Sequence, residues 1–330
     1  MKRVHVIAAT GRSGQALCRA LMARGVEVVP VVRDPGKFGA TALPFTARQA
    51  DLGDAGALAD ALADATHIAS AAHARHASAI LAVAPPTARM VLMGSTRRFT
   101  RWPDDHGRGV IAGEAALRAW GGDGVILHPT MIYGAEGENN VRRLAALARR
   151  LPVLPLPAGG RSLVQPIHQD DVTDCLVAAL ARPWGSPQAV VIAGPAPLTY
   201  ADFIRAIAHA AGLRPPRILP LPAWLLMALS PLTALPGLPR IRVPEIRRLL
   251  EDKGFAIDDM RTLLGVTPRP LAEGLAQTLG RPGLRPGPAG ACGRRAKARS
   301  GPLLGSGAKP RPCLTPAGAR RCGRRRCQVA

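Results

Sequence analysis

The chain has 330 residues, 47% of them hydrophobic, and a formal net charge of +22. That length and composition allow a sizeable buried core, in one large domain or two smaller ones. The charge is uneven: residues 281–330 hold thirteen Lys or Arg and no Asp or Glu, so residues 1–280 carry +9. A nucleic-acid partner would rest on that last segment alone, and we do not expect one.

Strand and helix patterns alternate from the N-terminus as far as Pro129. The predicted strands are Val4–Ala9, Val26–Val32, His67–Ala71, Met90–Met93 and Gly124–Leu127, and the predicted helices are Ser13–Arg24, Ala55–Ala65, Ala74–Ala84 and Ile111–Trp120. Alternation of this kind predicts an α/β fold of the Rossmann type, a doubly wound parallel sheet with helices on both faces.

The first strand and the first helix are joined by a turn that contains two glycines, Gly11 and Gly14. Gly11 lets the backbone come close to a pyrophosphate, and Gly14 removes the Cβ that would separate the helix from the strand. The N–H groups that begin the helix attract phosphates. The turn therefore predicts a dinucleotide site formed by Ala8, Thr10, Gly11, Arg12, Ser13 and Gly14. A structural turn without a ligand is the alternative.

The end of the second strand favours NADP(H) over NAD(H). Arg33 stands where an enzyme that selects NAD(H) usually has a carboxylate, and Arg12 and Lys37 add cations suited to a 2′-phosphate. Asp34 follows Arg33 directly, so NAD(H) stays the alternative.

Two further positions are predicted to line the nucleotide site. Asp51, followed by Leu52, would accept a hydrogen bond from the adenine amino group, unless Asp51 is simply the N-cap of the helix that begins at Ala55. Ala71 ends the third predicted strand at the same edge of the sheet, where ligands of such folds bind.

A smaller substrate-side α/β region is expected after the Rossmann domain, which gives predicted boundaries of 1–135, 136–280 and 281–330. Its predicted helices are Val141–Arg150, Asp170–Ala181, Tyr200–Ala211, a segment near Glu245–Leu250, Ile257–Leu264 and Leu271–Leu279, and its predicted strands are Val164–His168 and Ala189–Ala193. We expect turns over Leu151–Gly160 and an Asp170 or Asp171 cap on the helix that follows His168.

Two segments raise the question of a membrane or of disorder. Prolines interrupt the apolar stretch Leu219–Ile241, so we predict a core or cleft-covering helix there, with a surface that touches a membrane or a membrane-protein partner as the alternative. Residues 281–330 hold nine Gly and seven Pro among their basic residues. Such a segment cannot bury enough apolar surface to offset its ordering entropy, and we predict that it is disordered.

Motifs spread over residues 1–280 resemble the extended and atypical short-chain dehydrogenase/reductase superfamily. They are Ala8-x-x-Gly11-x-x-Gly14, Arg33, Asp51-Leu52, Gly94-Ser95-Thr96, Gly113–Leu117, Pro129–Gly134, Gln165–Val172 and Leu264–Pro270. The chain is most similar to the branch of NAD(P)-binding epimerase/dehydratase-like proteins, which includes a nucleotide-binding accessory subunit of respiratory complex I. The resemblance implies hydride transfer at a carbonyl or sugar-nucleotide substrate.

The chain lacks the Tyr-x-x-x-Lys pair that this superfamily uses for proton transfer. Counting back from the Gly113-Glu114 motif, the two positions fall near His106 and Val110. His106 and Tyr133 are the remaining candidates for acid–base catalysis. The alternatives are a solvated loop histidine for His106 and core packing for Tyr133.

The resemblance assigns roles to residues at the ends of two further strands. Ser95 would hydrogen-bond the substrate carbonyl as well as line the cofactor site, and Pro129 and Thr130 would lie over the nicotinamide. No set of residues has metal-ligand spacing, so no metal is predicted.

Two classes of function follow. The first is an NADP(H)-dependent oxidoreductase or epimerase-like enzyme acting on a small-molecule substrate. The second is a non-catalytic NADP(H)-binding sensor, or a structural or assembly subunit of a membrane complex. Cys18 and Cys175 are isolated thiols and the N-terminus has no apolar signal-peptide core, so we expect a cytoplasmic protein, or one peripheral to the inner membrane.

Overall fold

The computed structural model describes residues 1–134, 140–229 and 243–280. Thirteen strands lie in these ranges: β1 Arg3–Ile7, β2 Glu27–Val32, β3 Arg48–Gln49, β4 His67–Ser70, β5 Arg89–Met93, β6 Gly124–Pro129, β7 Ile132–Tyr133, β8 Val153–Pro157, β9 Leu163–Val164, β10 Ile167–His168, β11 Gln188–Ile192, β12 Leu198–Thr199 and β13 Arg217–Leu221. Seven of them form one parallel sheet in the order β3-β2-β1-β4-β5-β6-β11. This sheet confirms the predicted Rossmann-type α/β fold.

The order of the strands shows where the sheet can bind a ligand. The chain builds outward from β1 through β2 to β3, then crosses back to β4 on the other side of β1. Loops that leave β1 and β4 therefore diverge to opposite faces and open a crevice at the carboxyl ends of the two strands. The strands themselves are nearly continuous apolar runs, as expected when both faces of a parallel sheet are covered.

The described residues form twelve α-helices, several of which cover the two faces of the sheet. They are α1 Arg12–Ala23, α2 Pro35–Gly39, α3 Ala55–Leu62, α4 Ala77–Val83, α5 Asp105–Trp120, α6 Asn140–Arg150, α7 Gln169–Ala181, α8 Tyr200–Ala210, α9 Ala223–Leu229, α10 Val243–Arg248, α11 Asp258–Leu264 and α12 Leu271–Leu279. Side chains of α1, α7 and α11 share one buried apolar cluster with the sheet, and side chains of α3, α4 and α5 share the other. Short 3-10 helices cover Ala74–His76, Thr96–Phe99 and Ala158–Gly160.

The part of the chain after residue 135 contributes to the central sheet and also forms its own core. Its strand β11 pairs with β6 along the edge of the main sheet. A separate apolar cluster around Tyr133, Phe203 and Leu275 joins α8 and α12. The domain boundary near residue 135 stays a prediction.

Two expectations for this region were wrong. Val164–His168 is not one strand but two, β9 and β10, which pair with different partners, since Pro166 between them lacks the N–H that a ladder needs. Leu151–Gly160, expected to be turn-rich, contains β8, a strand that the sequence did not predict and that runs parallel to β13. That pairing joins segments about sixty residues apart and has no local signature.

The cap of α7 also differs from the prediction. His168 is its N-cap, and the His168 Nδ1 accepts a hydrogen bond from the Asp170 N–H at 3.2 Å. Asp171 is buried and instead accepts from Arg269, at 2.9 Å from the guanidinium Nε and 3.1 Å from the backbone N–H. Because Asp171 has a charged partner across the fold, it does not cap its own helix.

The apolar stretch Leu219–Ile241 is only partly described. It begins in strand β13 and continues into α9, while the predicted cover at residues 230–242 lies outside the described residues, as does the segment 281–330. Within the described ranges, no helix combines the length and the apolar character that a bilayer crossing requires.

Candidate active site

Backbone close packing decides the geometry of the turn between β1 and α1. A methyl group at Gly14 would collide with the carbonyl oxygen of Ala8 and come within 2.9 Å of the Ala9 Cα. The Gly11 N–H donates to the Ala8 carbonyl at 2.9 Å, and Gly11, which is exposed, is the N-cap of α1. The N-terminus of α1 is therefore brought against the carboxyl end of β1 with its N–H groups turned to solvent, where a pyrophosphate fits.

Ala8 holds a backbone conformation that favours glycine, with φ at 60°. A left-handed non-glycine residue costs about 1–2 kcal/mol. We expect Ala8→Gly to raise stability by about 1 kcal/mol net of the entropy that glycine loses, which shifts the unfolding midpoint by about 2–4 °C. Thermal unfolding measures it. Ala9→Gly is the matched control, because Ala9 is buried at a φ that is not positive and its variant should lose stability.

Side chains tie this turn to α7. The Ser13 Oγ donates to the Gln169 Oε1 at 2.9 Å, and the Gln169 Nε2 donates to the Thr173 Oγ1 at 3.2 Å. A groove of about 700 Å³ runs between α1 and α7 from Arg12 past Gln169 to Asp174. The turn is thus braced from the side opposite the crevice.

Cations surround the end of β2. Arg33 and Lys37 are exposed, as is Arg12 on α1. Asp34, the carboxylate that would favour NAD(H), is turned into its own helix: it caps α2, with its Oδ1 accepting from the Lys37 N–H at 3.1 Å. That hydrogen bond and the Lys37 charge hold the pKa of Asp34 below its usual value. The Asp34 carboxylate is therefore engaged, while Arg12, Arg33 and Lys37 are exposed.

The other predicted nucleotide contacts lie along the same edge. Asp51 is exposed and its Oδ1 accepts from the Gly53 N–H at 2.8 Å, while the cap of α3 is Asp54. Leu52 and Ala71 are half-buried, and Ala71 lies beside the end of β1, since its N–H donates to the Ile7 carbonyl at 3.1 Å. The alternative that Asp51 caps α3 is wrong.

Ser95 is oriented by a buried histidine–glutamate pair. Its N–H donates to the His128 Nδ1 at 3.2 Å, and the His128 Nε2–H donates to the Glu114 Oε2 at 3.0 Å. Both partners are almost fully buried, at 1% and 3% exposure. Burial lowers the pKa of His128, which favours the neutral ring that this pattern of one donor and one acceptor requires.

Gly94 and the Ser95 hydroxyl add to this contact between Ser95 and the His128–Glu114 pair. A side chain at Gly94 would come within 2.7 Å of the His128 Cε1, so glycine leaves room for the ring. The Ser95 Oγ accepts from the Arg97 N–H at 3.2 Å. That contact uses an acceptor lone pair, so within the described ranges the Ser95 hydroxyl keeps its hydrogen for a further contact.

His106 lies in the first turn of α5, not in a loop as the alternative held, because Asp104 caps that helix through the Gly107 N–H at 2.8 Å. Its ring meets the ring of His73 edge-on, with centroids 4.1 Å apart. His73 follows β4 and is the N-cap of the 3-10 helix Ala74–His76. A side chain at Gly109 would come within 2.9 Å of the His73 Cε1, so glycine permits this approach.

The two rings are held largely neutral. Burial first, and then the neighbouring His106 and Arg75, lowers the pKa of His73 to about 4. Burial and then Arg97 lower the pKa of His106. The His73 Nδ1 accepts from the Arg75 N–H at 3.0 Å, so the neutral ring carries its proton on Nε2. That Nε2 is buried without a partner in the part of the chain that the structure describes.

Tyr133 and Val110 lie in the core. Tyr133 is 1% exposed, meets the His168 ring at 5.2 Å, and would collide with any side chain at Gly274. Burial raises the pKa of its hydroxyl well above the usual value. Val110 is also 1% exposed and packs in the cluster that α3, α4 and α5 share with the sheet.

Pro129 and Thr130 end β6 next to Ser95. Both are buried, and Thr130 is fixed by its hydroxyl, which donates to the Gln165 carbonyl at 2.5 Å. The Thr96 hydroxyl donates to the Pro129 carbonyl at 3.2 Å. The ends of β5 and β6 are therefore joined, and these residues form a rigid wall beside Ser95.

Sequence reasoning missed His73, Arg97 and the His128–Glu114 pair. One signal was available: His128 ends an apolar run in a buried strand, and a buried polar side chain needs a partner. Nothing local pairs it with Glu114 or sets His73 against His106, because those contacts form only when the loops after β4 and β5 meet α5.

Known proteins share the sequence pattern and the fold described above. A family model described as NAD(P)H-binding matches residues 8–183, more than half of the chain. The chain belongs to this family. The NAD(P)H-binding family segment begins at the glycine turn and ends just after α7, so it includes every predicted cofactor contact. No curated protein matches the chain significantly.

Solved structures share the fold of this family member. The NADPH-dependent quinone oxidoreductase QOR2 from Escherichia coli, complexed with NADPH, is 20% identical with a TM-score of 0.67, over 84% of this chain and 100% of that one. The Citrobacter sp. triphenylmethane reductase complexed with NADP(H) is 16% identical with a TM-score of 0.67, over 84% of this chain and 100% of that one. MoeE5 in complex with UDP-glucose and NAD is 18% identical with a TM-score of 0.63, over 84% of this chain and 97% of that one. The similarity to the accessory subunit of complex I stays a prediction.

Proposed function

We propose that this protein is an NADP(H)-dependent oxidoreductase that transfers hydride between the nicotinamide and a carbonyl or carbinol carbon. The observation that carries the proposal is that His106 lies in the first turn of α5 and Ser95 on the loop after β5, both at the carboxyl edge of the sheet. The resemblance puts the superfamily's tyrosine near His106, which supports the proposal. When bound, the nicotinamide supplies or takes up the hydride. The remaining steps belong to side chains of this chain.

Ser95 would hold the substrate oxygen. Its free hydroxyl hydrogen donates to that oxygen, and the His128–Glu114 pair fixes the Ser95 backbone so that the donor is aimed before substrate arrives. His106 would give a proton to the oxygen during reduction and take it back during oxidation. Tyr133 is left out of this proposal because its hydroxyl is enclosed in the core.

The substrate class within this proposal is a carbonyl compound or a sugar nucleotide. Quinone and triphenylmethane reductases and a protein bound to UDP-glucose share the fold. The test is transfer of deuterium from NADPH labelled at C4 to a panel of such compounds. Label appearing in product from only one face of the nicotinamide supports the proposal.

A non-catalytic NADP(H)-binding protein, a sensor or a structural subunit of a membrane complex, is the second candidate. The buried Val110 favours it, because the resemblance puts the superfamily's lysine near this position and a valine side chain cannot hold the nicotinamide ribose. Binding of NADPH without label transfer to any compound of the panel would support this candidate and overturn the first.

Cofactor choice gives a separate prediction. We expect Arg33→Asp to weaken NADPH binding by about 10- to 100-fold, because a charge-assisted contact with the 2′-phosphate becomes a repulsion, and to strengthen NADH binding. Titration of both nucleotides by fluorescence measures it. Arg205→Gln on α8, whose guanidinium pairs with Asp202 at 2.7 Å, is the control. An unchanged preference would refute the role of Arg33.

A further inference from the structure

A cluster of arginines lies beside His106, and in the part of the chain that the structure describes its cations outnumber its carboxylates. Arg97 follows Ser95 by two residues, and Arg248 ends α10. Both guanidiniums approach the same oxygen, Asp104 Oδ2, at 3.4 Å each. A charge-assisted pair is usually closer, about 2.7–2.9 Å. One carboxylate oxygen thus serves two cations, and neither contact is tight.

The surrounding groups do not restore the balance. The Lys253 Nζ donates to the Arg248 carbonyl at 2.6 Å, which brings a third cation to the cluster. Glu251 is the second carboxylate, and its oxygens accept from the Thr100 hydroxyl and the Arg101 N–H, each at 2.8 Å. Among the side chains that the structure describes, three cations of this cluster therefore face two carboxylates, both of which also accept from neutral donors.

The cluster is also open to solvent. The side chains of Arg97 and Arg248 are 40% and 27% exposed, so both are held in place but open on one side. Burial and the charge of Arg248 lower the pKa of Arg97, and Arg97 in turn lowers that of His106. The positive field thus extends from the arginines to the proposed proton donor.

We propose that Arg97 and Arg248 bind an oxyanion of the substrate, a carboxylate or a phosphate, and so select anionic substrates for the site that contains Ser95 and His106. That the anion is part of a substrate rests on the proposed function, whereas the binding of an anion rests on the arginine cluster alone. The two guanidiniums come from different segments and converge on Asp104, a geometry that fits two oxygens of one anion.

The test titrates the protein, saturated with NADP⁺, with oxamate, with its neutral ester ethyl oxamate, and with inorganic phosphate, by calorimetry at constant ionic strength. We expect oxamate or phosphate to bind and the ester not to bind. The tighter of the two anions identifies the group as carboxylate or phosphate. Arg97→Gln and Arg248→Gln should each weaken the anion by about 10-fold, the loss of one charge-assisted contact.

Asp104→Asn should strengthen anion binding, an increase that misfolding of the variant could not produce. Asparagine caps a helix as well as aspartate does, so α5 keeps its N-cap while the competing charge is removed, and anion binding should tighten by about 3- to 10-fold. Arg97→Lys should restore part of the affinity lost in Arg97→Gln, and Arg205→Gln should change nothing. Anions that fail to bind, or bind equally to all variants, would overturn the inference.

The outcomes separate this inference from the proposed function. Anion binding that depends on Arg97 and Arg248, without label transfer from NADPH, would keep the anion site and refute the enzyme. Label transfer to neutral carbonyl compounds, with no effect of the arginine variants, would keep the enzyme and refute the anion site.

Discussion

In the Gly14→Ala variant, NADPH affinity should fall by at least about 100-fold, which corresponds to about 2.7 kcal/mol. The new methyl group meets backbone atoms of Ala8 and Ala9, which cannot rotate away as a side chain would. The N-terminus of α1 must then withdraw from β1, and the N–H groups that face the pyrophosphate lose their alignment. Overpacking of this kind also costs about 1–3 kcal/mol of folding stability.

Equilibrium titration of NADPH, followed by its fluorescence, measures this effect, and circular dichroism shows whether the variant is folded. Gly56→Ala is the matched control: Gly56 is exposed on α3, and a side chain there would meet only the Asp54 carboxylate, at an ordinary 3.5 Å. That control should bind NADPH normally and gain about 0.5–1 kcal/mol from better helix propensity. Normal NADPH binding by folded Gly14→Ala would show that the cofactor lies elsewhere.

His106→Gln should lower the turnover number by about 10²- to 10⁴-fold while NADPH affinity stays within about twofold. Glutamine keeps a polar side chain of similar size but cannot give up a proton at neutral pH. Steady-state kinetics on whichever carbonyl compound of the panel accepts deuterium gives the turnover number, and His209→Gln, at an exposed position of α8, is the control. Unchanged turnover in His106→Gln would assign proton transfer to another group.

The pH dependence has opposite signs in the two directions. Burial, followed by the charges of Arg97, Arg75 and Arg248, lowers the pKa of His106, and Asp104 opposes them only in part. The neutral ring, which also faces His73, therefore dominates at neutral pH. Reduction needs the protonated ring and should speed up as the pH falls through this pKa. Oxidation needs the neutral ring and should slow over the same range, which lies below the usual pKa of histidine.

The sequence was sufficient to predict most strands and helices of residues 1–135, because the patterns that specify them are local. The apolar runs of β1 and β2 and the two glycines of the turn each act within a few residues, and the buried faces of α1 and α3 follow helical spacing. The same local reasoning explains why boundaries moved little, as with α1, predicted from Ser13 and observed from Arg12.

Local signals failed where a distant partner decides the structure. His106 sits in a polar, proline-containing stretch that looks like a loop, yet the cap at Asp104 starts α5 there. Asp171 looked like a helix cap because its partner, Arg269, is almost a hundred residues away. His73 gave no signal at all, since its role depends on a ring contact made across two loops.

The family segment and the folding unit do not coincide. The segment ends at residue 183, yet β11 covers the outer edge of β6, and three apolar residues of α11 and its N-cap fill the core above it: Ile257, Met260 and Leu264. A fragment cut at residue 183 would expose a strand edge, open one wall of the core, and strip Asp171 of its cation. We expect such a fragment to aggregate rather than fold. Transplanting this nucleotide site into another protein would thus require the chain as far as residue 280.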